Sequence, residues 1–159
     1  MLFIRASVAF LALPAIAAGL VPALIVRSAT PDRHTVLIGI ILLGTGCFLL
    51  LWCVRDFYIA GKGTLAPWDP PKHLVVVGLY RFVRNPMYLA VLTIVAGWSV
   101  LYVSAWMTGY LAFLSGAFHV RVCWQEEPWL RRQFGPAWET YAASTPRCLP
   151  RSRRDSDSG

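Results

Sequence analysis

Between His73 and Tyr88 the chain reads His-Leu-Val-Val-Val-Gly-Leu-Tyr-Arg-Phe-Val-Arg-Asn-Pro-Met-Tyr, and this passage holds the densest set of side chains able to do chemistry. Arg81 and Arg84, three apart, can pair with an anion, and Tyr80 and Tyr88 offer aromatic faces. Asn85-Pro86 marks a helix start, with Asn as the cap and Pro in the first turn, where unpaired backbone N–H groups also favour an anion. A second set, the adjacent carboxylates Glu126 and Glu127, repel each other unless a cation or water compensates, so they suit the amine or sulfonium end of a cationic ligand. Taken singly, each set has a plainer reading. Arginines beside a membrane helix set its topology, and acids at a helix start are favoured by the dipole.

Other chemistries have little support. His34, His73 and His119 lie far apart and without a nucleophile beside them, so no triad is indicated. Cys47, Cys53, Cys123 and Cys148 fall at no metal-ligand or disulfide spacing, and no metal is expected. A Gly-rich phosphate loop is missing as well.

These residues must be positioned by membrane helices. The 159 residues are 57% hydrophobic and 14% charged, with a mean hydropathy of +0.54, which is more apolar surface than one soluble core of this size would bury. The net charge of +7 does not indicate nucleic acid, because the basic residues sit in loops and the C-terminal region rather than along one helix face. Residues 6–26 carry no charge and are long enough to span a bilayer. Ala15-Ile16-Ala17 resembles a signal-peptide cleavage site, but the apolar run continues past it, which favours a span that Pro14 and Pro22 kink. Residues 35–54 form a second uncharged run, whose Gly39, Gly44 and Gly46 predict close helix packing. Arg55 to Arg84 is expected to be a long, structured cytoplasmic connection. No Asp, Glu, Lys or Arg occurs from Asn85 to Val120, about twice the length of one crossing, so this run must fold back, with the turn expected between Gly97 and Ser104. Spans over about 86–102 and 104–124 follow.

Four spans place both termini on one side. With that side cytoplasmic, thirteen basic residues face the cytoplasm, against Arg27 and Arg33 on the opposite side. After the last span, Trp129, Leu130, Phe134, Trp138 and Tyr141 recur at helical spacing, and Gly135-Pro136 divides them into two short helices. Residues 1–150 therefore read as a single all-α integral membrane domain, with a disordered polar tail over 151–159.

The two chemical stretches gain meaning together. Gly-x-Tyr-Arg-x-x-Arg-Asn-Pro-Met-Tyr, followed by Glu-Glu-x-x-Leu-x-x-x-Phe-Gly-x-x-Trp-x-x-Tyr and then Pro-Arg, resembles the isoprenylcysteine carboxyl methyltransferase family and its phospholipid methyltransferase relatives. The likeness covers residues 72–147. It implies a membrane methyltransferase using S-adenosylmethionine in a cytosol-facing pocket covered by the C-terminal helical segment, with a lipophilic acceptor entering from the bilayer. By position, His73, Leu74, Val75, Tyr80, Asn85, Pro86, Met87 and Tyr88 would line the cofactor, and Glu126 would hold its methionine end. Arg121 is the counterpart of an arginine that orients the acceptor. Three positions depart from the isoprenylcysteine pattern: Asn85 stands where that family has histidine, Ala90 where it has glycine, and Arg121 lies five residues before Glu126.

Tyr80, Tyr88 or Trp124 would suit a sulfonium by cation–π contact. A carboxylate acceptor, as in a prenylcysteine, needs no base, whereas a lipid amine does, and Glu127 is the residue placed to serve. The alternative is a non-catalytic four-helix scaffold that binds lipid or a partner through its basic face.

Overall fold

A computed structural model describes residues 14–61 and 73–147. The start of the expected first span, the Lys62 to Lys72 part of the connection and the tail from Cys148 lie outside the described residues. Among those described, all regular structure is helical. In chain order the helices are α1 (Ile16–Ile25), α2 (Val36–Gly61), a 3₁₀ turn (Gly78–Arg81), α3 (Pro86–Tyr102), α4 (Ala105–Arg121), α5 (Glu127–Phe134) and α6 (Pro136–Ser144).

One described helix is both long and apolar enough to cross a membrane, over Val36–Asp56 within α2. This qualifies the four expected spans: α3 is apolar but 17 residues long, α4 is 17 residues and less apolar, and of the first run only residues 14–26 are described. The connection also starts later than expected, because α2 continues through Arg55 and Asp56 to Gly61. A lone charge at a helix end does not break a helix.

Glycines bring α2 and α3 together. Side-chain atoms added at Gly39, Gly46 or Gly97 would run into Leu101, Ile94 and Leu43 respectively, so the two backbones nearly touch. Gly44 points away, with nothing within 4 Å of such an atom. Ala90, which stands where the isoprenylcysteine family has glycine, is fully buried at this contact, and its carbonyl lies 3.0 Å from where a Gly46 Cβ would stand. The glycine that makes room here is contributed by the facing helix.

The turn between α3 and α4 falls at the C-terminal edge of the expected window. Val103 takes the left-handed conformation with φ 46°, and Ser104 caps α4 by accepting from the Met107 N–H. Gly97 lies within α3 and serves packing instead. The loop before α2 closes the same end. Asp32 accepts from the His34 and Thr35 N–H groups, and the Thr35 hydroxyl donates to the Val100 carbonyl at 2.7 Å.

Pro22 shows how the neighbours of α1 compensate for a broken ladder. Proline has no N–H for the carbonyl four residues back and crowds it, and α1 widens to a π-helical turn over Ile16–Leu20. The released Ala18 carbonyl accepts from Trp98 Nε1 at 3.0 Å, and the Ala17 carbonyl accepts from the Tyr110 hydroxyl at 2.9 Å. Ala18, Val91, Val95, Met107 and Leu114 complete the core between the four helices.

Candidate functional site

The same proline effect builds the site. Pro128 stands in the first turn of α5, and the five residues Val122–Glu126 just upstream of that helix are drawn into a π-helical turn. An α-helix would place residues five apart on different faces. The wider turn brings Arg121 and Glu126 together, and Arg121 Nε donates to Glu126 Oε1 at 3.1 Å. The five-residue separation that departs from the family pattern is thus accommodated by the backbone.

Tyr88, in the first turn of α3, donates its hydroxyl to the same Glu126 oxygen. Its ring packs on Phe118 of α4 with centroids 4.4 Å apart. Residues 38 apart in sequence therefore share one carboxylate, at the end of the α3–α4 hairpin where the 3₁₀ turn and α5 also arrive.

A second cluster adjoins the first. Val75, Tyr80 and Cys53 are buried together, with Met87 and Leu79 packed against them. Burial first, and then the neighbouring Cys53 and Tyr141 ahead of Asp56 and Glu126, keep the Tyr80 phenol neutral far above its ordinary range. Asp56, 7% exposed at the end of α2, has one oxygen, Oδ2, that is buried without a hydrogen-bond partner. That carboxylate abuts Gly78, where φ is +55° and a side chain would have no room. A buried, unmatched acceptor is costly and calls for a donor.

The third cluster fastens the C-terminal segment. Glu127 accepts from Arg84 Nη1 at 3.0 Å and from Arg147 Nε and Nη2 at 2.7 and 2.6 Å. The Arg84 guanidinium lies over the Trp138 ring at 5.7 Å, its backbone N–H donates to the Pro146 carbonyl, and the Tyr141 hydroxyl donates to the Tyr80 carbonyl at 2.6 Å. The half of the glutamate pair expected to act as a base is therefore turned away from Tyr88 and committed to two arginines.

The expected site residues divide accordingly. Tyr88, Glu126 and Arg121 form one group, and Val75, Tyr80 and Met87 another beside it. Leu74 is half-buried at its edge and His73 is exposed. Asn85 and Pro86 occupy the cap and the first helical position, as their types predict, but the Asn85 side chain makes no capping bond. Trp124 is 80% exposed. Asp56 and Phe118 were not singled out from the sequence. An apolar helix gives no hint of which of its side chains face inward, although an acid directly after an apolar run of this length is itself a usable signal.

Fold and site together define an all-helical, membrane-associated protein with buried carboxylates and tyrosines where a helical hairpin meets the segment that follows it. The chain belongs to the phospholipid methyltransferase family, whose model matches residues 34–137, from the start of α2 into α6. It is thus a member of a family of membrane methyltransferases acting on lipids. No curated protein and no solved structure matches the chain.

Proposed function

We propose that this protein transfers a methyl group from S-adenosylmethionine to the amine of a lipid at the cytosolic membrane face. The observation carrying this reading is the Tyr88–Glu126–Arg121 cluster, in which the two halves of the family motif meet on one carboxylate. The phospholipid family match, and Asn85 in place of histidine, favour a lipid amine over a prenylcysteine carboxylate.

The residues present fit such a cofactor. Glu126 would take the ammonium of the methionine end, held in place by Arg121. The unpartnered Asp56 oxygen would accept from a hydroxyl or ammonium, and Val75, Met87 and Leu74 would cover the apolar part. Bound there, S-adenosylmethionine supplies an electrophilic methyl on a cationic sulfur. The faces of Tyr80, which is buried, and of Tyr88, which is half-buried against Phe118, suit that cation. The amine attacks as the free base, its proton passing to water at the membrane face before it enters, and leaves as the methylammonium with S-adenosylhomocysteine as the other product, so alignment of amine and methyl is the main contribution of the protein, through positioning rather than covalent catalysis. Arg121 remains the residue placed to orient the acceptor. Glu127, with three guanidinium N–H groups on its oxygens, holds the covering segment rather than moving a proton.

A multi-pass topology with cytoplasmic termini accompanies this reading. Trp106 and Trp124 are 84% and 80% exposed at opposite ends of α4 and its π-helical extension. At 1.5 Å per residue they stand about 27 Å apart, close to the thickness of a hydrocarbon core and where interfacial tryptophans belong. Leu37, Ile38, Ile41, Phe48 and Leu51 present an exposed apolar surface on α2 suited to lipid.

Calorimetric binding of S-adenosylmethionine to the detergent-purified protein tests the proposal. Micromolar affinity is expected, falling about tenfold or more in Glu126→Gln and in Tyr88→Ala. A folded parent protein that does not bind would leave the non-catalytic reading standing.

A further inference from the structure

On the far side of Glu127 from Tyr88, an open cleft of about 640 Å³ lies between α5 and α6, lined by Arg84, Glu127, Arg131, Arg132, Trp138 and Glu139, among others. Its charges are not balanced. Glu127 is taken by Arg84 and Arg147, and Glu139 by Arg131 at 3.0 Å. Arg132 has no carboxylate partner among the described residues. Arg84, at the wall of the cleft, has a buried Nε–H with no acceptor. An oxyanion in the cleft would give Arg132 its missing partner, with the positive charge of Arg84 behind it, and a guanidinium matches a tetrahedral oxyanion well.

We propose that this cleft holds the phosphate of the phospholipid acceptor, with Arg132 as its direct contact and Arg84 at its inner wall. The inference rests on the methyl-transfer reading and adds the group by which the acceptor is recognised. S-adenosylmethionine carries no phosphate, so a phosphate site here belongs to the acceptor. Placement supports this. Glu126 and Glu127 are adjacent, one facing the Tyr88 cluster and the other forming a wall of the cleft, so a phosphate in the cleft and an amine at the methyl site are separated by little more than one turn of backbone. The outward-facing Trp124 just before Glu126 sets the cleft at headgroup depth.

The test uses glycerophosphoethanolamine, the water-soluble headgroup of an amine phospholipid, titrated calorimetrically into the detergent-purified full chain, with S-adenosylmethionine titrated separately. The parent should bind both. Arg132→Ala should lose about tenfold or more in headgroup affinity with cofactor affinity unchanged, Arg132→Lys should recover part of the loss, and Arg33→Ala, on the opposite end of the helices, should behave as the parent. Unchanged headgroup binding in Arg132→Ala overturns the site. Loss of cofactor affinity instead would reassign the cleft to the cofactor carboxylate, and inorganic phosphate binding as tightly as the headgroup would make it a free-phosphate site. A parent that binds cofactor but no headgroup refutes this inference alone. One that binds neither refutes the methyltransferase reading with it.

Discussion

Tyr141 fastens the last helix to the site through one hydrogen bond, from its phenol to the carbonyl of Tyr80. Burial raises its pKa from 10.0 to about 12, because the phenolate would lose its solvation, an effect that the nearby Arg84 charge only partly offsets. With the folded pKa above the unfolded one, the stabilisation is complete below about pH 10 and is lost as pH rises through about 12. Alkaline titration should therefore loosen α6 in that window, with phenolate absorbance and Trp138 fluorescence changing together. Tyr141→Phe should loosen α6 already at neutral pH and remove that coupled change. A Tyr141→Phe protein whose alkaline transition matched the parent would show that this bond does not hold the segment.

At the scale of the helix pair, stability depends on which glycines face the partner. Gly39 and Gly46, seven apart, lie on the face of α2 that meets α3, whereas Gly44 does not. At Gly46 an added Cβ would stand 2.8 Å from the Ile94 backbone nitrogen, so the helices themselves must move. Gly46→Ala should cost about 1–3 kcal/mol, the usual penalty for overpacking. Gly44→Ala, with open space around it, should be neutral or gain up to about 1 kcal/mol from helix propensity. Thermal unfolding in detergent compares the two. Equal effects would mean that the close approach of α2 and α3 is not what stabilises the pair.

In the molecule as a whole, Glu127 joins three regions distant in sequence: Arg84 before α3, the start of α5, and Arg147 after α6. Its side chain and that of Arg84 are mostly buried, so removing the carboxylate charge leaves two guanidinium groups facing each other. Glu127→Gln should weaken closure of the C-terminal segment by about 2–3 kcal/mol. Hydrogen exchange should then accelerate over 136–147 while α2 and α3 keep their protection. If Glu127 acted as a base instead, the substitution would abolish methyl transfer and leave exchange unchanged.

Sequence alone determined the helical character, the fold-back of the long uncharged run, the division at Gly135-Pro136 and the family, because hydropathy, proline and glycine act locally and the motif spacing is unusual. It also placed Tyr88 and Glu126 in one site by resemblance. The exact turn at Val103 and the partners of each glycine were decided by tertiary packing, since periodicity is nearly silent when every face of a helix is apolar. Tertiary structure also separated the two adjacent glutamates. Consecutive residues in a helix point about 100° apart, so Glu126 meets Tyr88 and Arg121 while Glu127 meets Arg84 and Arg147, and only the folded arrangement of those partners gives the two carboxylates different work.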